Sequence, residues 1–182
     1  MAEKQPACII DVNGCLGDTT NRNHFISDRE NRDWEGFFEN MMTDTPVDQV
    51  HRFCNAQPYH PFFSKVLLIT GAPEKYRPLM EKWLEINQVH YDRLFMRGNY
   101  QFIKGFEFKR KLYDDVLRYD YDIVLALDDK DECSSMWREL GIPCWLVAPC
   151  PYPRVEKAEA PRSRGSNPYR RPYRQQRQPR PR

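Results

Sequence analysis

Ala7-Cys8-Ile9-Ile10-Asp11-Val12-Asn13-Gly14-Cys15-Leu16 is the stretch whose reading decides the fold. Four apolar residues of strand character run into a carboxylate, and a glycine three positions later turns the backbone away. In an open α/β sheet, ligands bind just beyond the carboxyl ends of buried strands, so such a strand delivers Asp11 to a chemically useful place. Taken alone, the segment is equally well explained as a strand ending in an ordinary Asx-Gly turn.

Outward from it, the chain reads as strands alternating with helices. Residues 17–33 are polar and read as a loop or flap. Trp34, Phe37, Phe38, Met41 and Met42 then share one helical face, closing at Thr43-Asp44-Thr45-Pro46, either as core or as a small cap over the site. Val47, Val50 and Phe53 predict a helix ending near Pro58. A second strand, Lys65-Val66-Leu67-Leu68-Ile69-Thr70, stops at Gly71-Ala72-Pro73. Tyr76, Leu79, Met80, Trp83 and Leu84 then form an apolar helical stripe. A weaker strand at 93–96 precedes a helix from about Phe108 to Tyr119, with Leu112, Val116 and Leu117 inward. The third strong strand, Asp122-Ile123-Val124-Leu125-Ala126-Leu127, ends in Asp128-Asp129. A helix carrying Cys133, Met136, Trp137 and Leu140 follows, Gly141 caps it, and residues 143–148 make a last strand. This alternation predicts an α/β, Rossmann-like, doubly wound and mostly parallel sheet covered on both faces.

Asp11, Thr70 and Asp128 each end or follow a strong strand, and in a parallel sheet those ends share one edge. Two carboxylates meeting there repel unless a cation sits between them, and oxygen-only ligands suit magnesium. A hydroxyl and a lysine beside them would complete a site for metal-assisted phosphoryl transfer to a carboxylate nucleophile.

These residues resemble the haloacid dehalogenase-like phosphohydrolases. Asp11-Val12-Asn13-Gly14-Cys15-Leu16 is similar to that family's first motif, and Leu67-Leu68-Ile69-Thr70-Gly71 to its second. A lysine at a helix start corresponds to its third and Asp128-Asp129 to its fourth. Within the family, residues 122–148 and the segment from Lys75 to Trp83 look like the 3′-phosphatase domain of phage-type polynucleotide kinase-phosphatases. The resemblance covers about residues 7–148. No Gly-x-x-x-x-Gly-Lys-Ser/Thr phosphate-binding loop occurs, so a kinase half is not expected in this chain.

The resemblance implies that Asp11 is the nucleophile, forming an aspartyl-phosphate, and also a magnesium ligand. It implies that residue 13 offers a backbone carbonyl to the metal, Asp128 a carboxylate, and Asp129 support for the metal's water shell. Thr70 and Lys109 would hold phosphoryl oxygens, with Lys104 and Lys111 as competitors for the lysine role. Arg97 and Gly71 would contact substrate, Arg97 at its backbone phosphate. Asn13 departs from the family pattern, in which a second acid protonates the leaving oxygen. An amide has no proton to give at neutral pH. Asn13-Gly14 is also the dipeptide most open to deamidation, because glycine leaves the attacking amide nitrogen unhindered.

Composition bounds the remaining choices. The chain has 182 residues, 40% hydrophobic, with a net charge of +2. Eight arginines and no acid fall in residues 161–182, which leaves residues 1–160 with −6. That tail has almost no aliphatic surface to bury and is expected to be disordered over 151–182. Its arginines, among them Arg170, Arg171, Arg174 and Arg177, with Tyr169 and Tyr173, suit a nonspecific nucleic-acid arm; a solubilising tail or an acidic partner explains the charge as well. No apolar run approaches the length of a membrane span and the N-terminus lacks a signal core, so the expectation is a soluble cytoplasmic protein, in a host cytoplasm if phage-encoded. The six cysteines form no CxxC pair and suit a reduced compartment, and the four histidines lack ligand spacing. The expected domains are residues 1–150, with a flap or cap at 17–45, and the tail. Two functions follow: a magnesium-dependent phosphatase of phosphorylated nucleic-acid 3′ ends, DNA or RNA, or a catalytically impaired relative that binds nucleic acid or another partner; a small-molecule nucleotide phosphatase is a third, which the basic tail disfavours.

Overall fold

The computed structural model describes residues 3–147. β1 (Gln5–Asp11) is the central strand of a five-stranded parallel sheet. A short antiparallel pair, β2 (Gly17–Asp18) and β3 (Thr45–Pro46), brackets an excursion that contains α1 (His24–Ser27) and α2 (Trp34–Glu39). α3 (Asp48–Asn55) leads to β4 (Lys65–Pro73), α4 (Arg77–Ile86) to β5 (Arg93–Arg97), and α5 (Gly105–Leu112) with α6 (Arg118–Asp120) to β6 (Tyr121–Asp128). α7 (Asp131–Glu139) and β7 (Cys144–Leu146) complete the described chain. The sheet order is β5-β4-β1-β6-β7, and every pairing is parallel. This is the Rossmann-like α/β sheet that the alternation predicts.

The two-residue period of β1 divides the core into two layers. Cys8, Ile10 and Val12 pack on one face with Val66 and Leu68, beneath Phe37, Phe38, Met41, Met80 and Trp83. Ala7 and Ile9 pack on the other with Leu67 and Ile69, beneath Phe108, Leu117, Met136 and Trp137. Strands buried on both faces read as unbroken apolar runs, which is why β1 and β4 are so plain in the sequence.

Three local expectations are corrected. Trp34 and Met42 do not join Phe37, Phe38 and Met41 inside: they are 47% and 37% exposed. Trp34 is the first residue of α2, and Met42 turns outward because α2 ends at Glu39 and a tighter 3₁₀ turn over Asn40–Thr43 changes the phase. Val116 is exposed while Leu117 is fully buried. A π-helical turn at Tyr113–Leu117, between α5 and α6, adds about one residue per turn and breaks the 3.6 period that placed both inward. The last strand spans three residues instead of six, and Ala148 lies outside the described residues.

Cys8, Cys15, Cys54, Cys133 and Cys144 are buried free thiols. Cys150 and the tail arginines Arg170, Arg171, Arg174 and Arg177 lie outside the described residues. Among the described residues no helix is long and apolar enough to cross a membrane.

Candidate active site

β1, β4 and β6 are adjacent and parallel, so Asp11, Thr70 and Asp128 arrive at the same edge of the sheet. Their positions along the strands decide which way they face. Asp11 follows Ile9 in the two-residue alternation and Asp128 follows Ala126, so both carboxylates turn toward the layer covered by α5 and α7. Thr70 follows Leu68 and turns the other way. All three are at most 3% exposed.

α5 supplies the cation. Lys109 lies one turn inside the helix, 2% exposed, and its Nζ is 2.6 Å from Asp11 Oδ1 and 2.6 Å from Asp128 Oδ2. Of the three lysines open from the sequence, geometry selects this one. Lys104 is the residue before the helix, and Lys111 pairs with Asp115 on the exposed face at 2.7 Å. Its placement inside the helix, and not at the start, follows from a helix that begins three residues earlier than the apolar spacing indicates, at Gly105.

Oxygens of Asp11, Asp128 and Asp129 lie within 4.8 Å of one another. Burial is the largest influence on Asp11 and lifts its carboxyl to about 7; the charges of Asp128 and Asp129 add to the rise, and Lys109 opposes it. Burial likewise raises Asp129. For Lys109 burial disfavours the ammonium, but Asp11 and Asp128 outweigh it and the pKa lies well above its ordinary value. Asp11 Oδ2 and Asp129 Oδ1 are buried without a hydrogen-bond partner among the described residues. Buried carboxylate oxygens that no donor satisfies are costly, and a hard divalent cation is the partner that suits them. The donor set therefore fits magnesium. Gly14 completes the cradle: its φ is +98°, and an added Cβ would overlap the Asp129 carboxylate.

Asn13 is held at both ends. Arg22 Nη2 donates to Asn13 Oδ1 at 2.7 Å, and Asn13 Nδ2 donates to Thr70 Oγ1 at 2.7 Å. Since a guanidinium can only donate, the amide oxygen must face Arg22 and the NH₂ must face Thr70. Thr70 Oγ1 also accepts from the Ala72 amide at 3.1 Å. Both acceptor positions of the hydroxyl are filled, so its own proton is left to donate. Gly14 N donates to Gly17 O at 2.9 Å, which ties down the nitrogen that deamidation of Asn13 requires.

Arg22 is the residue that sequence reading misses. It sits in the stretch read as a polar flap, yet it is 0% exposed. Its guanidinium donates to both oxygens of Asp44, at 2.6 and 2.5 Å, and to Phe37 O at 3.0 Å, and it stacks 4.1 Å from the Phe37 ring centroid. No periodicity marks it; the only signal available is one arginine and one aspartate at opposite ends of a polar excursion. Arg97 lies at the end of β5, where Nη1 donates to Ile103 O at 3.0 Å and Nε has no partner among the described residues. Gly71 is half-buried within β4, and a Cβ there would meet nothing within 4 Å.

Comparison with known proteins places the fold. A chain in the solved Pnkp1/Rnl/Hen1 complex is 26% identical with a TM-score of 0.66, covering 81% of this chain and 47% of that one. A chain of the Pnkp1/Rnl/Hen1 RNA repair complex is 24% identical with a TM-score of 0.68, covering 83% and 46%. The chain thus spans about half the length of these two. The class C acid phosphatase from Bacillus anthracis, solved with tungstate bound, shares the fold at 15% identity and a TM-score of 0.55, covering 83% and 69%. The family model described as the polynucleotide kinase PNKP phosphatase domain matches residues 5–152. With that match and the carboxylates converging at the sheet edge, the chain belongs to the family of polynucleotide kinase PNKP phosphatase domains, within the haloacid dehalogenase-like phosphohydrolases.

Proposed function

We propose that this chain is a magnesium-dependent phosphohydrolase that removes phosphate from nucleic-acid 3′ ends through an aspartyl-phosphate on Asp11. The observation that carries the reading is the buried cluster of Asp11, Asp128 and Asp129, with two unsatisfied carboxylate oxygens and Lys109 bridging two of its members. Asp11 and Asp128 would hold the ion with the backbone carbonyl of Asn13, and Asp129 would support its water shell. When bound, the ion neutralises the carboxylates and polarises a phosphoryl oxygen.

The chain's own residues do the rest. Asp11 presents an oxygen both buried and free of any donor, as Asp129 does, but Asp129 Oδ1 has Lys130 Nζ 3.9 Å away, so Asp11 better suits a nucleophile. Lys109 faces the same space and offsets negative charge on the phosphoryl group. The Thr70 hydroxyl, with both acceptor positions filled, donates to a phosphoryl oxygen. Arg97 serves the substrate's backbone phosphate, and the excursion at 17–45 covers the site as a cap. The arginine-rich tail, including Arg170, Arg171, Arg174 and Arg177, holds the strand without regard to sequence.

Asn13 limits turnover. Its amide cannot protonate a leaving alkoxide, and its two ends are already engaged by Arg22 and Thr70. General acid-base assistance is typically worth ~10²–10⁴-fold, so slow hydrolysis of unactivated esters is expected. The same fixed amide supports a second reading, a site that captures phosphorylated ends and turns over poorly.

Phosphate release from a 3′-phosphorylated oligonucleotide, with and without magnesium, tests both. The wild type should release phosphate slowly, Asn13→Asp faster, and Asp11→Asn not at all. Equal release by wild type and Asp11→Asn removes the enzyme reading; a silent wild type beside an active Asn13→Asp favours capture.

A further inference from the structure

Two aromatic side chains at the sheet's carboxyl edge have no role in the core or in the cluster of carboxylates. The loop from Gly98 to Lys104 follows β5 directly, and it carries Tyr100 at 89% exposure and Phe102 at 91%. Scattered exposed aromatics are ordinary on protein surfaces. The backbone beneath these two is held by hydrogen bonds. Gln101 N donates to Gly98 O at 3.1 Å, and the Gln101 side chain accepts from Gly98 N at 3.3 Å. Lys75 N donates to Asn99 Oδ1 at 2.6 Å, tying the loop to the segment after β4. Arg97 Nη1 holds the Ile103 carbonyl, and Glu107 caps the Lys104 amide at 3.0 Å. A rigid turn thus presents two aromatic faces to solvent at the end of the strand that carries Arg97. A preorganised platform loses little conformational entropy when something lies down on it.

Charge says what that is. Arg97 and Lys104 flank the loop, Lys75 beside it is paired with Glu35 at 3.0 Å, and the Arg97 Nε is buried without a partner among the described residues. A half-buried guanidinium with an unused donor calls for an anion, and aromatic faces beside an anion-seeking group suit a phosphodiester chain with its bases. We infer that Tyr100 and Phe102 are a stacking platform for the unpaired nucleobases next to the 3′-phosphate, so that the ligand is a single-stranded nucleic-acid end. This rests on the proposed activity toward nucleic-acid 3′ ends and deepens it. Stacking uses a face that every base has, so binding tolerates any sequence but demands unpaired bases. Base-paired ends, whose faces are already stacked, are poorer ligands.

Another exposed aromatic pair provides the internal control. Tyr59 and Phe62, 89% and 72% exposed, precede β4 and therefore lie toward the opposite, amino edge of the sheet. They should take no part.

The test uses the full chain carrying Asp11→Asn, so that the phosphate stays on the probe. Fluorescence anisotropy measures its affinity for a short single-stranded oligonucleotide with a 3′-phosphate, and for the same oligonucleotide with abasic terminal residues. The basic tail contacts both probes alike, so the ratio of the two affinities isolates the bases. The intact probe should bind more tightly than the abasic one, and Tyr100→Ala and Phe102→Ala should each weaken the intact probe by about tenfold. Neither should shift the abasic probe by more than about twofold, and Phe62→Ala should leave both unchanged. The inference is overturned if the two probes bind equally, if both loop variants weaken both probes alike, if Phe62→Ala matches Tyr100→Ala, or if neither probe binds. Turnover of p-nitrophenyl phosphate, which has no base, by the chain with Asp11 intact separates the two levels. Phe62→Ala should leave it unchanged, whereas absent turnover of both that ester and the oligonucleotide counts against the activity itself.

Discussion

Replacing Arg22 by methionine should cost this protein about 3–5 kcal/mol, the range found when one partner of a buried ion pair is removed. The structure explains why the loss belongs at that scale. Arg22 is fully buried, Asp44 is 8% exposed, and the guanidinium meets both Asp44 oxygens as well as Phe37 O and Asn13 Oδ1. The variant leaves a carboxylate, a carbonyl and an amide oxygen without their donor. Each neutral acceptor alone costs about 1–3 kcal/mol when unsatisfied, and partial relaxation keeps the total below the sum. For a domain of this size the loss amounts to a fall in Tm of roughly 6–20 °C. Urea unfolding followed by tryptophan fluorescence measures it directly, and Arg22→Met with Asp44→Leu should recover at least about 2 kcal/mol of the deficit by removing the stranded charge.

The same pair carries a pH signature. Burial holds the Asp44 carboxyl above its ordinary value, and Arg22 pulls it back. Without Arg22 the folded-state pKa rises further, while the unfolded value stays near ~3.9. A carboxyl with a raised folded pKa adds no penalty when both states are protonated, and destabilises the fold as pH rises through that pKa. The deficit of Arg22→Met should therefore be smaller at pH 5 than at pH 8. A loss under about 1 kcal/mol, or strict additivity of the two substitutions, would falsify the assignment of Arg22 as the anchor of the excursion.

Lys109→Met removes the cation between Asp11 and Asp128, so the metal-free variant should melt lower than wild type, and magnesium should raise its Tm by more than it raises the wild type's. A smaller magnesium response in the variant than in wild type argues against a divalent site there. Gly14→Ala must accept φ of +98° and displace Asp129, and a loss of more than about 1–3 kcal/mol is expected by chemical denaturation; a neutral result shows that the cradle relaxes. Asn13 should stay unconverted in aged folded protein and gain its one-dalton increment only after unfolding, as peptide mapping by mass spectrometry reads out. Cys8, Cys15 and Cys54 are buried thiols, with burial raising all three and pushing Cys54 up to about 12, so none should react with an alkylating reagent at pH 8 until the chain is denatured.

The sequence by itself determined the sheet and the carboxylates. β1 and β4 are buried on both faces and β6 is buried at its carboxyl end, each carries an uninterrupted apolar run, and a parallel sheet obliges the residues that follow such runs to meet at one edge. Asp11, Thr70 and Asp128-Asp129 were legible for that reason, whatever the helices did. Tertiary structure settled that Lys109, which the resemblance favours over Lys104 and Lys111, is the lysine that faces them, because this depends on where α5 begins and how it rotates against the sheet. It also decided the place of Arg22. Local pattern reports the average polarity of a segment, and a single charged side chain turned inward leaves that average unchanged; its burial is made tolerable only by Asp44, 22 residues away. The exposed Val116 has a similar cause, since a π-helical turn leaves no mark in composition but moves every later residue around the helix axis. What strands deliver follows from a two-residue period and survives small errors of boundary, whereas what helices and excursions deliver depends on packing between segments far apart in the chain.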